Sequence, residues 1–525
     1  MTLLARRALS ALTSAALLAG LFLGAPASAL ATPQTYYVGH QVNDYALGSA
    51  CADPNYWTDG DWTGGGAYNS NNDAIQDATD NAASGSIIYI CAGTYVFAEE
   101  ITVAAGVSLT FRGEGDETVL DGNDITRIFN SSPVNESDQG GVLSLGDLLI
   151  MDAEVTSWNA GAIVSDGLSL DSVTITRTTG AYNGGALYAE GNVTIVDSTF
   201  TGNIAIADGG VLYAWNSDRT VSISNSVFDG NTAYTGGAIA AATISVTNST
   251  FTGNTAAYYG GAINATTATV SSSTFTDNSA VVGGAIAAAT ISVTNSTFSG
   301  SYAYYGGAIY AYTTATVTSS TFTGNGSFFA GAISAAAATV TNSTFTGNTA
   351  AYIGGAINAT TATVSSSTFT DNSAVVGGAI STDTATVTNS TFTDNDAGIL
   401  AGAISAAAAT VTNSTFTGNT AAYWGGAIYA STATIARSRF TRNTAGEHGG
   451  AVNLPGPTSN DLRKWRRNTF SRNTAALGGA ITLGSCVAPS RSQAARVLGA
   501  NRFSGNRATE QRRTKNIERR AGDCS

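Results

Sequence analysis

Side chains able to do acid–base or metal chemistry are few in this chain and far apart. The only histidines are His40 and His448, so a zinc site has little to draw on, and neither a metal nor a cofactor is expected. Between Thr220 and Ala436 there is no Lys or Arg, and the carboxylates are Asp229, Asp277, Asp371, Asp383, Asp394 and Asp396. Glycoside hydrolysis needs two carboxylates converging on one bond, but Asp277 and Asp371 hold equivalent places in separate repeats. Asp394 and Asp396 are expected to cap a turn, and His448 to be a surface variant. A polysaccharide lyase or glycoside hydrolase would have to use the N-terminal charges: Asp116, Asp121, Asp124, Asp147, Asp152 and Glu154 with Arg112, Arg127 and Arg177. They read as solvated surface charge, and no catalytic residue is assigned.

Binding chemistry is the stronger signal. A bulky pair stands before each glycine turn: Tyr258-Tyr259, Val281-Val282, Tyr304-Tyr305, Phe328-Phe329, Tyr352-Ile353, Val375-Val376, Ile399-Leu400 and Tyr423-Trp424. Neighbours in a strand face opposite ways, so one of each pair is expected to point outward and build an aromatic–aliphatic stripe. Such stripes mark binding surfaces, and aromatics suit sugar faces or protein partners. The alternative is that both residues pack at a bulged corner or under a loop.

The elements that would position this stripe are repeats. Phenylalanine recurs at Phe200, Phe228, Phe251, Phe275, Phe298, Phe322, Phe345, Phe369, Phe392, Phe416 and Phe440, mostly 23 or 24 residues apart. Asn follows most of them three residues later, and a Gly-Gly-Ala-Ile element lies between. Val246–Ile286 and Val340–Ile380 agree over 41 residues except for Tyr259 against Ile353. Strand-like alternation, Gly or Asn corners and a unit too small to bury its own apolar side predict stacked coils. The expected fold is all-β, a right-handed parallel β-helix solenoid with a short N-terminal capping helix. Phe would form an internal ladder, Asn a left-handed corner with an amide ladder, and Gly-Gly a turn that excludes Cβ.

The pattern divides the chain into residues 1–31, a signal peptide with Arg6 and Arg7 before an apolar run; 32–125, a cap and first coils; 126–453, the repeat array; and 454–525, irregular last coils with a basic cap. Asn72 is expected to cap a helix over 73–83, with Gly93-Thr94-Tyr95 as a turn. Residues 454–465 read as a long insertion. Cys51, Cys91, Cys486 and Cys524 lie outside the array. Four cysteines allow three connectivities; the local pairs 51–91 and 486–524 are expected, because the others would bridge opposite ends of a rod. The sequons at Asn248, Asn295 and Asn342 sit inside the repeat.

The Phe-x-x-Asn and Gly-Gly-Ala-Ile pairing resembles the repeats of the polymorphic outer-membrane protein family of chlamydiae. Ile75-Gln76-Asp77-Ala78, Gly93-Thr94-Tyr95 and Leu120-Asp121-Gly122 look like the start of pectin-lyase-like β-helices. The resemblance implies a surface-exposed, adhesive rod. Members of the chlamydial family end in an autotransporter barrel, and no run of alternating, aromatic-girdled strands follows Ser485 here.

Charged residues make up 11% of the chain, against about 25% in soluble domains. From Asp461 onward, 14 Lys and Arg face 4 Asp and Glu, within a net charge of −13. The basic tail, with Arg512, Arg513, Lys515, Arg519 and Arg520, could touch anionic wall polymers. The expectation is a secreted or surface-associated, non-catalytic rod that binds a cell-surface polysaccharide or protein, with no nucleic-acid partner and no transmembrane segment in the mature chain.

Overall fold

The computed structural model describes residues 32–39, 44–47, 71–104, 106–131, 141–156, 159–456, 463–485, 491–509 and 516–521. The expected signal peptide and most of the basic tail lie outside these.

One coil shows how the repeat becomes structure. A short strand, Thr250–Thr252, is followed by a corner strand, Thr255–Tyr259, and a long strand, Ile263–Ser271. Each pairs in parallel with its counterpart one coil away, Phe251 on Phe275 and Ile263 on Ile286. Along the long strand, Ile263, Ala265, Ala268 and Val270 are buried, while Thr266 and Thr267 both turn outward. The inward phase slips there by one residue, which bends the strand so that it lines two sides of the tube.

Phenylalanine forms the expected internal ladder. From Phe200 to Phe503 successive rings stack 4.6 to 5.0 Å apart and within 12° of parallel. The coil rise is therefore that of parallel strand spacing, and each buried ring contributes about 1.5–3 kcal/mol of transfer free energy.

Asparagine does half of what was expected. The amide ladder is present: Asn254 Nδ2 donates to Asn278 Oδ1 at 3.0 Å and to the Phe228 carbonyl at 2.9 Å. The left-handed backbone, however, belongs to the residue before it, such as Gly253 (φ +62) or Asp277 (φ +54). The correction follows from geometry: the corner needs its left-handed residue outside, and Asn is the buried residue that follows. Exposed Asn248, Asn295 and Asn342 take left-handed angles at a different corner.

That second corner hides a ladder the sequence reading missed. Ser249 Oγ accepts the Ser226 N–H at 3.1 Å and donates to the Thr247 carbonyl at 2.8 Å. The same pattern runs through Ser273, Ser296, Ser320, Ser343, Ser367, Ser390 and Ser414. Burial of these hydroxyls is tolerable because each is satisfied twice.

The glycine turn separates into two jobs. Gly260 is left-handed (φ +61), yet Ala330 (φ +64) and Ala401 (φ +60) fill the equivalent place elsewhere. A Cβ at Gly260 would meet the Ile263 carbonyl within its own turn, a contact the coils with alanine relax. A Cβ at Gly261 would instead run into the carbonyl oxygen of Gly284 in the next coil, and glycine holds that place from Gly237 to Gly450.

At the N-terminal end, the helix spans Asn71–Asn81, two residues earlier than expected at both ends, and buries Ala74, Ile75 and Ala78 on the core. Gly93–Val96 is a strand, not a turn: it pairs in parallel with Thr118–Asp121, which places Tyr95 inside. Toward the other end, the irregular segment is anchored on both sides. Leu454 pairs with Leu483, and buried Trp465 donates from Nε1 to the Ala433 carbonyl at 2.8 Å.

Candidate ligand-binding surface

The corner strand ends in the bulky pair, and its register shifts there: Ala233 pairs with Ala256, but Thr235 pairs with Tyr259. This bulge changes the expected outcome. Instead of one residue facing in, both reach the surface in the aromatic pairs, while Val282 stays buried behind Val281. Tyr258, Tyr304, Tyr305, Phe328, Tyr352 and Tyr423 are exposed, while Tyr259, Phe329 and Trp424 are half-buried beside them. A bulged corner was the expected sign of packing, but here no loop covers it among the described residues.

Two columns result. The inner one runs in unbroken register from Tyr259 through Val282, Tyr305, Phe329, Ile353, Val376, Leu400, Trp424 and His448 to Leu477. The outer one holds Tyr234, Tyr258, Val281, Tyr304, Phe328, Tyr352, Val375, Ile399 and Tyr423. Within it, Tyr304 stacks on Phe328 at 4.8 Å, and Phe328 on Tyr352 at 6.2 Å. Across the columns, rings meet edge to face, as between Tyr258 and Tyr259 at 4.4 Å.

Stacking matters for what can bind. Ring faces in a ladder cover one another and leave edges and hydroxyls to solvent. Faces open only where a small side chain interrupts. At Val281 the interruption lies between two tyrosines, Tyr258 and Tyr304, each one coil away. The bracket is two coil rises tall, 4.8 Å each.

Sequence reasoning also missed several aromatics that extend this surface. Tyr234 stacks on Tyr258 at 6.2 Å, Tyr310 meets Tyr312 edge-on at 4.9 Å, and Tyr429 lies 6.1 Å from Trp424. Tyr234 opens the outer column on the corner strand before Gly236-Gly237, whereas Tyr310, Tyr312 and Tyr429 sit on the long strands and only the fold brings them beside it. Burial raises the phenol pKa of Tyr312, helped by a hydrogen bond with Tyr259, and burial likewise raises that of Tyr310. At the far end Trp424 Nε1 donates to Glu447 Oε2 at 2.8 Å, and the indole lies parallel to His448 at 6.4 Å. His448 thus continues the inner column.

The N-terminal arginines are engaged in ion pairs: Arg112 with Asp147 at 2.7 Å, Arg127 with Glu100 at 3.3 Å and Arg177 with Asp152 at 2.7 Å. Burial lowers the Arg127 pKa and Glu100 raises it. Arg127 also donates to the carbonyls of Asn159 and Ala160, so its role is to tie coils together. Beside it runs an open groove of 470 Å³ lined by Glu100, Arg127, Asn130, Tyr188 and Glu190. A second hollow continues from Tyr188 and Glu190 to Tyr213 and Trp215, and Tyr188 stacks on Tyr213 at 5.5 Å. Asp277 and Asp371 stand at separate left-handed corners and do not meet, while Asp396 accepts from the Thr420 hydroxyl.

Cys91 is disulfide-bonded, whereas Cys51, Cys486 and Cys524 lie outside the described residues. Among the described residues no helix is long and apolar enough to cross a membrane.

Residues 279–445 match the family described as right handed beta helix region, and residues 248–266 match the Chlamydia polymorphic membrane protein repeat. The fold is a right-handed parallel β-helix. No curated protein matches the chain. Among solved structures, the β-helix is similar to the catalytic unit of a GH87 alpha-1,3-glucanase from Streptomyces thermodiastaticus, with 17% identity, 69% of this chain and 62% of that one covered, and a TM-score of 0.29. The match thus spans less than two thirds of that glucanase unit. It is also similar to PfbA, a surface adhesin of Streptococcus pneumoniae, with 12% identity, 71% and 86% covered, and a TM-score of 0.27. A PL6 family alginate lyase, AlyGC, shares 10% identity over 84% of this chain and 89% of its own, with a TM-score of 0.25.

Proposed function

We propose that this β-helix is an exported, non-catalytic binding rod that engages a cell-surface glycan or protein through its aromatic corner. The observation that carries the reading is the break in strand alternation at the pair before the glycine turn, which brings both large side chains to the surface in the coils of Tyr258-Tyr259, Tyr304-Tyr305, Phe328-Phe329 and Tyr423-Trp424. A soluble protein gains little stability from such exposure; surface apolar columns of this length serve contact with a partner. The Tyr258–Val281–Tyr304 bracket fits a sugar ring, and the stacked edges further along fit an apolar protein surface. The proposal includes residues 1–31 as a signal peptide, 32–125 as cap and first coils, 126–453 as the array and 454–525 as the closing coils. Disulfides 51–91 and 486–524 would pin the two ends.

The second reading is a polysaccharide lyase or glycoside hydrolase, favoured by the groove in which Glu100 and Glu190 flank Tyr188. One experiment separates the two. Purified secreted protein is screened against a polysaccharide panel, with binding and released reducing or unsaturated ends scored together. Binding without product supports the rod; product that disappears with Glu190→Gln supports the enzyme.

A further inference from the structure

The closing coils concentrate positive charge on one side of the rod. From Arg437 to Thr509 twelve Lys and Arg stand against two acidic residues, Glu447 and Asp461. The fold gathers many of these cations on the short strand and its two corners. Arg437 (φ +53) and Arg467 (φ +59) occupy the corner before it in successive coils, and Arg442 and Arg472 (both φ +57) the corner after it. Arg439 and Arg502 open the short strand two coils apart, in register with Thr469 between them. All six side chains are exposed. The phenylalanines beneath are 4.9 and 5.0 Å apart, so the charges repeat with the coil rise. None of the six belongs to an ion pair among the described residues. Glu447 lies at the aromatic corner, bound to Trp424.

This arrangement works against stability. Like charges one coil apart repel, and a left-handed backbone disfavours arginine relative to the Asn and Gly that fill these corners in earlier coils, Asn413 and Gly418. A bound anion would offset both effects.

We infer that this arginine face binds an acidic polysaccharide lying along the rod axis. Guanidinium groups at regular spacing suit a linear polymer that carries carboxylate or sulfate on its repeating sugars, and each can take such a group bidentately. Thr441 and Ser471, hydrogen-bonded to each other at 3.1 Å, supply hydroxyls between the arginines. The strand between the two corners exposes Thr and Ser where single-stranded nucleic acid would call for aromatic platforms and a membrane surface for apolar side chains. The inference is independent of the aromatic corner, which lies on a different strand.

The test uses the full secreted chain with heparin and polygalacturonate as probes, dextran as the neutral control, and duplex DNA and phosphatidylserine vesicles as competing classes. One variant carries Arg437→Asn, Arg439→Thr, Arg442→Gly, Arg467→Asn, Arg472→Gly and Arg502→Thr, the residue types that Asn413, Thr415 and Gly418 supply at these places in the last coil before the arginines. A second variant replaces Arg512, Arg513, Lys515, Arg519 and Arg520 with serine. The inference expects both acidic polysaccharides to bind, with affinity falling on the order of tenfold from low to physiological salt. It expects the six-site variant to lose that binding with its melting temperature unchanged or raised, and the tail variant to keep it. No binding by the wild-type chain would overturn it, as would undiminished binding by the six-site variant or loss in the tail variant alone. DNA or vesicles bound as tightly as the polysaccharides would overturn it too.

Discussion

Tyr304 and Phe328 lie one coil apart on the outside of the rod with their rings 4.8 Å apart and 2° from parallel. Inside the wall, Phe298 and Phe322 stack with nearly the same spacing, 4.9 Å. One repeat therefore builds two aromatic ladders, a dry one that holds the coils together and a wet one that is free to meet a partner. Their energetic weights differ, because only the inner rings are removed from water.

Phe345→Ala should therefore destabilise the rod by about 3–5 kcal/mol, the usual range for a buried phenylalanine. An exposed ring such as Tyr352 should cost no more than the roughly 0.5–1.5 kcal/mol of an aromatic pair when replaced by Ala. Thermal or denaturant unfolding followed by circular dichroism checks the contrast; equal losses would contradict it.

The two glycines of a turn should behave differently. Gly354 is left-handed (φ +65), so Gly354→Ala costs about 1–2 kcal/mol of backbone strain plus a small shift away from the Ile357 carbonyl in its own turn, as the coils with Ala330 and Ala401 already accommodate. Gly355→Ala drives a methyl group into the Gly378 carbonyl oxygen and should cost more. Melting temperatures of the two single variants give the order.

The asparagine ladder has one break. Ser301 stands where Asn is expected, and the Asn278 amide keeps its bond to the Phe251 carbonyl while its other N–H turns to the Thr276 carbonyl. Ser301→Asn should restore the missing bond to Asn278 and raise stability by about 0.5–1.5 kcal/mol. An unchanged or lowered melting temperature would contradict this.

The fold was legible because stacking forces like residues onto like: Phe on Phe, Asn on Asn, glycine turn on glycine turn. The serine ladder was legible in principle, since Ser stands two residues before most of the phenylalanines, but Ser and Thr crowd that segment and conceal which hydroxyl turns inward. The direction of the tyrosine pairs was not legible. Alternation assigns one residue to each face, and a break in it leaves no mark of its own when the same glycine turn follows the pair whether its residues are aromatic or aliphatic. Gly93-Thr94-Tyr95 misled for a related reason: a glycine that begins a strand looks like one that ends it.

The tyrosine cluster should titrate unevenly. Burial raises the Tyr312 pKa above the ordinary value of about 10. A raised folded-state pKa means that the folded chain holds this proton longer than the unfolded one. The stability contributed by neutral Tyr312 is thus full below about pH 10 and is lost as pH climbs through the folded-state value. Absorbance titration near the phenolate band should show a late-ionising fraction that Tyr312→Phe removes.

The most direct test of the binding rod is the triple variant Tyr258→Ala, Tyr304→Ala and Tyr423→Ala, assayed against the glycan or surface protein that the wild-type chain retains. The account predicts loss of binding with circular dichroism, solution dimensions and melting temperature close to wild type. Full binding by the folded variant would contradict it.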